Sequence, residues 1–451
     1  MGDSLVINGQ TFHNVAGIKA TDTSNNIKTY TSGSGSAKVR KDVNFYDYDG
    51  TIVESYTTAE FADISALPTN PTHTGLTAQG WNMPSNWTLA DAKTYISTNK
   101  KADWGQMYTT TSGATEIDVE FTDVNRLSPT MSLAVNGTVS IDWGDGSSTE
   151  TVTGTSLNTR VNTSQHIYPA VGKYTIKVTV TTGSWVFYGT NKYLLLYIAS
   201  TSNSNRVYSN CVKAVRIGSG CTGIGQYAFY YCGSLSSITI PSSITSIGLY
   251  AFGYCYSLTS VTIPSGVTSI SNYAAYTCHS LASVMIPSGI TSIGSYTFYY
   301  CYSLKGITIP NSVTSIMNYT FFTCSSLSSI TIPNSATSIG DSAFYSCSSL
   351  ASMTIPNGVT SIGTNAFIYC YPLASVTIPS SVTSIASKAF YGCYGLGSIH
   401  FKGSTPPTVD ASDAFTNLPT DCIIYVPTGY LTAYTTASNY PDSATYTYVE
   451  E

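Results

Sequence analysis

The chain has 451 residues, enough for three or more domains, with 36 tyrosines, 36 glycines, only 10% charged residues and a formal net charge of -5. That balance offers no electrostatic reason to bind nucleic acid, and between positions 217 and 400 the only charged side chains are Lys305, Asp341 and Lys388, which leaves no paired carboxylates, no Ser/His/Asp set and no basic stripe for phosphates. The expectation is a protein that is not an enzyme, takes no cofactor and, having no run of about 18 apolar residues, inserts into no membrane.

Residues 1–40 read as a separate arm for attachment. Val6 to Phe12 form a small hairpin pattern, and Thr23 to Lys38 are polar and Gly/Ser-rich, hence loop-like or extended. The opening MGDSLVINGQ has neither a basic n-region nor an apolar h-region, so no secretory signal is expected.

Residues 41–112 read as a small β module with one short helix. Val43 to Tyr48 lead into an Asp49-Gly50 turn with Thr51 to Tyr56 returning. Pro68 and Pro71 precede a strand from Gly75 to Trp81, and Leu89 to Asn99 form a helix capped by Thr88, with Leu89, Ala92 and Ile96 on one face. Asp47 and Asp49 spell a phosphatase-style DxDG, but no partner lysine or nucleotide loop follows. The frame resembles the β-grasp-like repeat of internalin-type and other Gram-positive surface proteins, with Ala78 where that repeat carries an aromatic.

From 113 to 200, alternating strands surround Ile141-Asp142-Trp143-Gly144-Asp145-Gly146, and His166-Ile167-Tyr168 precede Gly172 to Val178. A WGDG turn with a later HxY and GxYxxxV strand resembles the polycystic-kidney-disease-type immunoglobulin-like β-sandwich. Asp142 and Asp145 are expected to bond turn amides, with His166 packed near Trp143; two carboxylates make a weak cage for calcium, so no metal site is assigned. The INGxTF opening of the arm resembles the N-terminal segment of structural proteins from phages of gut Firmicutes, often joined to the same YDYDG and WGDG modules. That resemblance implies a virion protein whose arm contacts other virion proteins.

Residues 201–400 carry a strict period. Cys232, Cys255, Cys278, Cys301, Cys324, Cys347, Cys370 and Cys393 recur every 23 residues, each followed three positions later by leucine. In the unit CYSLTSVTIPSGVTSISNYAAYT, the alternation in SVTI reads as a short strand that Pro264 ends in a turn, and Phe229, Phe252, Phe298, Phe321, Phe344, Phe367 and Phe390 form a core column that Ala275 interrupts once. One such unit cannot bury its apolar face alone, so the repeats stack as a solenoid of parallel strands, about 40 Å long at ~4.8 Å per strand.

Stacked cysteines fall within reach of one another, but in-register parallel neighbours point the same way, so a ladder of buried free thiols is expected rather than disulfides. No CxxC pair exists, and His279 and His400 occupy different repeat positions, so no zinc site is expected. Cys211, Cys221 and Cys422 fall outside the ladder as core or cap residues.

The motif LxxVTIPxxVTSIGxxAFxxC resembles the BspA-like leucine-rich repeats of bacterial surface proteins and of gut bacteria and their phages. The fold class is therefore mostly β: a leucine-rich repeat solenoid preceded by an Ig-like sandwich and small N-terminal β modules. Residues 401–451, with Thr405-Pro406-Pro407 and Ile423 to Pro427, look like that family's C-terminal cap.

The strand face is regular, with Thr239, Thr262, Thr308, Thr331, Thr354 and Thr377 in one column and Met285 and His400 as exceptions. Variation concentrates beside the cysteines, at Tyr231, Tyr254, Tyr256, Tyr276, Tyr300, Tyr302, Tyr345, Tyr369, Tyr371, Tyr391 and Tyr394. Tyrosine offers flat amphipathic area and a hydroxyl at low entropic cost, which suits recognition; alternatively, these rings pack one repeat against the next. Three roles follow from the resemblances. The first is a phage virion protein binding a host-surface glycan or protein, the second an extracellular adhesin on a bacterial cell surface, and the third a purely structural fibre or capsid decoration. A homo-oligomer is compatible with each.

Overall fold

The computed structural model describes residues 41–84, 87–99, 101–190, 195–197 and 209–451, and the backbone of four strands in the arm. Those four pair antiparallel as two hairpins: β1 (Ser4–Ile7) with β2 (Gln10–His13), as the sequence pattern predicts, and β3 (Lys19–Thr21) with β4 (Ile27–Thr29).

The small module forms a four-stranded mixed sheet in the order β6-β5-β8-β7, built from β5 (Val43–Tyr46), β6 (Ile52–Tyr56), β7 (Leu76–Trp81) and β8 (Ala102–Thr110). Gly50 takes φ +86° at the tip of the hairpin, where a side chain would also meet Ser283. The predicted helix is present as α2 (Leu89–Asn99), started by reciprocal Thr88 and Asp91 bonds. A shorter helix that the pattern does not announce, α1 (Thr58–Asp63), begins at a Thr57/Glu60 capping box. Both pack on a core of Val43, Phe45, Phe61, Trp81, Ala92, Ile96 and Trp104.

Next, β9 (Thr115–Phe121), β10 (Thr130–Asp142), β11 (Glu150–Asn162) and β12 (Gly172–Phe187) pair antiparallel in the order β11-β10-β12-β9. The sheet does not stop there: β13 (Leu196–Tyr197) pairs with β10, β9 also pairs with β14 (Val212–Arg216), β15 (Cys221–Ile224) runs parallel to β12, and β14 pairs in parallel with the first repeat strand, β16 (Ser237–Thr239). One apolar core accordingly runs from Ile117 through every repeat to Tyr434.

In the repeats, equivalent residues pair in register, for example Ser260 with Ser283 and Ser375 with Ser398. Each unit contributes a second short strand as well, so that Ser361–Ile362 pairs with Ser384–Ile385 in a parallel ladder of its own. The phenylalanines stack 5.3 to 5.7 Å apart from Phe298 to Phe415. Where Ala275 interrupts the column a void of about 20 Å³ remains between Phe252 and Phe298. All eleven cysteines are free and buried. From Cys255 onward each thiol of the ladder donates to the phenylalanine or alanine carbonyl 26 residues earlier, as Cys347 does to Phe321 at 3.2 Å.

Past Phe401 the stack is closed by strands Ile423–Val426 and Thr447–Glu450 and by Tyr434 and Tyr440 packed against Phe401. The buried Tyr434 hydroxyl donates to the Gly403 carbonyl at 2.8 Å.

Candidate recognition surface

The turn before each cysteine has two residues with left-handed backbone, and this conformation aims the tyrosines. Tyr231, Tyr254, Tyr300 and Tyr369, with Thr277, Thr323 and Ser346, hold φ between 52° and 61° directly before the cysteine. A non-glycine residue there costs about 1–2 kcal/mol. Amide bonds to the next repeat hold the conformation, such as Tyr254 N–H to the Tyr276 carbonyl at 2.8 Å.

The predicted tyrosines separate into packing and exposed groups. Tyr231 and Tyr254 stack face to face at 4.3 Å and 1°. Tyr276, Tyr299, Phe322 and Tyr345 make a continuous column at 4.4 to 4.9 Å. Tyr369 sits edge-on between Tyr345 and Tyr391. These rings are partly buried, and most of their faces are taken by one another. Tyr256, Tyr302, Tyr371 and Tyr394, immediately after the cysteine, are 37%, 37%, 44% and 55% exposed. Burial, then neighbouring tyrosines, raises the Tyr254, Tyr302 and Tyr345 hydroxyls above the ordinary value, so at neutral pH they remain protonated and serve as both donors and acceptors.

Two features escaped the sequence reading. Tyr227, Tyr250, Tyr273, Tyr296 and Tyr319 form a further stacked column, at the other left-handed position of the turn. Its signal was present as tyrosine two residues before the phenylalanine position, every 23 residues. His279 stands between Tyr256 and Tyr302, 4.9 and 4.8 Å from their rings, and burial lowers its pKa so that it stays neutral near pH 7.

The strand face is only half open. The module of residues 41–110 lies over its first half, where Ser260, Thr262 and Met285 are buried. Asn82 Nδ2 donates to the Ile263 and Met285 carbonyls at 3.0 and 3.2 Å, Ser260 Oγ to the Tyr48 carbonyl at 2.8 Å, and Thr308 Oγ1 to Asp103 at 2.6 Å. Met285, an exception in the threonine column, thus fills an internal interface. Thr331, Thr354 and Thr377 remain exposed.

The carboxylates elsewhere are tied into turns. Asp142 and Asp145 accept from the Gly144 and Ser147 amides at 2.9 and 3.0 Å, while His166 bonds Asp145 at 2.9 Å and stacks on Trp143 at 4.6 Å. In the DxDG, Asp47 is held by His73 and Tyr108, and Asp49 by the Thr51 amide. Among the described residues no group of three His, Cys, Asp or Glu side chains is placed to hold a metal ion, and no helix is long and apolar enough to cross a membrane.

A 23-residue solenoid with two parallel strand ladders and a Phe/Cys core defines a leucine-rich repeat protein. The sequence model of the BspA type leucine rich repeat region matches residues 181–305 and 291–418, more than half of the chain, and the chain belongs to that family. Among solved structures it is similar to the Treponema pallidum leucine rich repeat protein TpLRR, at 34% identity over 36% of this chain and 78% of that one, with a TM-score of 0.33. It is also similar to a leucine rich cell surface protein of Faecalibacterium prausnitzii, at 25% identity over 52% and 84%, TM-score 0.30. A leucine-rich repeat protein of Eubacterium ventriosum shares 22% identity over 56% and 77%, TM-score 0.35. No curated protein matches the chain.

Proposed function

We propose that the chain is a non-enzymatic recognition protein whose repeat array presents its tyrosine edge to a host-surface glycan or protein. The exposure of Tyr256, Tyr302, Tyr371 and Tyr394 in one column carries this reading. Large aromatic side chains held outward on a rigid stack supply contact area without a further ordering cost. Two settings fit such a surface. The resemblance of the arm and of the YDYDG and WGDG modules favours a phage virion, with the arm contacting other virion proteins. Membership of the BspA-type family favours a bacterial cell surface.

The test requires the full chain. A fragment starting near residue 207 loses β9, the partner of β14, and the module over Ser260 and Met285, and so exposes surfaces that the full chain covers. Labelled full-length protein is incubated with intact gut Firmicutes cells and with epithelial cells, beside a variant carrying Tyr256→Ser, Tyr302→Ser, Tyr371→Ser and Tyr394→Ser. Retention on bacteria supports the virion setting and retention on epithelium the adhesin setting. Equal retention of the variant, or none of the wild type, defeats the recognition role.

A further inference from the structure

The cysteine ladder is stacked closely enough to invite disulfides and spaced so that it holds none. From Cys255 to Cys393 each thiol donates to the carbonyl 26 residues earlier at 3.1 to 3.3 Å, so the side chain takes one repeated pose. The phenylalanine rings beside it step by 5.3 to 5.6 Å from Phe298 to Phe390. Side chains in one repeated pose move by the same step, which puts neighbouring cysteine Cβ atoms about 5.5 Å apart. A disulfide draws its Cβ atoms to about 3.8 Å and its Cα atoms within about 6.8 Å. Neighbours in the ladder therefore miss the bond, and cysteines two repeats apart, at about 11 Å, lie beyond its reach.

The unfolded chain has the opposite chemistry. Its eleven thiols are exposed, with an ordinary pKa of about 8.5, and those of the ladder recur every 23 residues along a flexible chain. With a disulfide such as that of glutathione as oxidant, one cysteine thiolate attacks a sulfur and releases a glutathione thiolate. A second cysteine thiolate then attacks the mixed disulfide and releases the other glutathione, which leaves one protein disulfide, two glutathione thiols and the two cysteine protons carried by them. Every such bridge along the ladder fixes a spacing that the stack does not offer. A bridged chain cannot close its repeats.

Folding ends this exposure. Burial pushes the thiols of Cys278, Cys347 and Cys393 up to about 12, and those of Cys255, Cys301, Cys324 and Cys370 well above the ordinary value, so the folded ladder presents almost no thiolate.

We propose that the repeat stack is a one-way redox gate: it closes only around reduced thiols and then shields them, so the chain folds in a reducing compartment and leaves it folded. Of the two settings above, this favours a particle assembled in the cytoplasm and released by lysis over passage of the unfolded chain into an oxidising exterior. The gate does not depend on recognition by the tyrosine edge.

The test uses the full chain. Protein unfolded in guanidinium with dithiothreitol is desalted and diluted into buffer containing either dithiothreitol or glutathione disulfide, and native protein is held in glutathione disulfide alongside. Folded protein is read by size exclusion and by hydrogen exchange at Ser352–Thr354, and free thiols by mass spectrometry. The chain is also synthesised by cell-free translation in the same two redox buffers, and its soluble, fully reduced fraction is measured, so the result does not hang on refolding from denaturant. At least tenfold less folded protein is expected in glutathione disulfide than in dithiothreitol, with all eleven thiols of the native protein still free after the same exposure. Equal folded yields in the two buffers overturn the gate, and so does native protein that takes up disulfides in the ladder and keeps its stack. Neither result bears on the tyrosine edge, which is tested separately by retention on cells.

Discussion

At the scale of single residues, burial and backbone conformation govern what each side chain can do. The ladder cysteines lie where desolvation pushes their thiols up, to about 12 for Cys278, Cys347 and Cys393. The thiolate is the reactive form, so these cysteines are expected to resist a disulfide reagent at pH 8 in the native protein and to react fully in guanidinium; rapid native labelling of all eleven would contradict the buried ladder. The left-handed turn positions allow a second prediction. Lys388 is exposed at φ 53°. Glycine removes the ~1–2 kcal/mol left-handed penalty and adds ~0.5–1 kcal/mol of chain entropy, so Lys388→Gly should stabilise by up to about 1.5 kcal/mol. Lys388→Val should destabilise by about that much or more, and urea midpoints will show whether the two variants move in opposite directions. The period alone located these tyrosines, but it could not reveal their positive φ. Tyrosine, threonine, serine, asparagine and lysine occupy the left-handed positions, and glycine only once, at Gly392, so the usual glycine signal is nearly missing.

At the scale of elements, the decisive contact is the small module against the strand face. The strands and helix of that module were legible from the Asp49-Gly50 turn and the Thr88 cap, because such signals are local. Its docking was not, since Asn82 reaches the Ile263 carbonyl across 181 residues with no repeating pattern to announce it. Asn82 is fully buried, donates to two repeat carbonyls and accepts from the Gly105 amide. Asn82→Ala leaves buried polar groups unpaired at about 1–3 kcal/mol each. Hydrogen exchange should therefore rise at Ser260–Thr262 and Ser283–Met285 and stay unchanged at Ser352–Thr354, which the module does not cover. Uniform acceleration, or none, would mean that Asn82 does not anchor the interface.

For the whole molecule, the N-terminal sheet and the solenoid are joined through β9 and β14. Arg216 on β14 bonds Asp118 at 2.6 and 2.7 Å and Glu116 at 3.0 Å across this seam. Burial by itself would raise the Asp118 carboxyl, but its bonds to Arg216 and Thr175 and the Arg216 charge outweigh that and hold it below the ordinary carboxylate value. A carboxyl depressed in the folded state stabilises above its unfolded pKa, about 3.9, and that stability is lost as pH falls through the depressed value. The seam should loosen below about pH 4 in wild type. Asp118→Asn should be looser at pH 5 and change less on acidification, as read by exchange of the β9 and β14 amides. Identical pH profiles would assign the seam to its backbone pairing alone.

The 23-residue period was enough to specify the solenoid and its core columns, and the residues after Phe401 its C-terminal closure. A unit that repeats every 23 residues must place equivalent residues beside one another, so a linear pattern becomes a spatial one. Tertiary structure alone decided which half of the strand face is covered and how the N-terminal sheet runs into the first repeat. It also decided which tyrosines are spent on each other and which, such as Tyr302 and Tyr371, remain exposed. Those outcomes depend on contacts between unlike segments far apart in the chain, and on ring orientation, neither of which has a periodic trace in the order of residues.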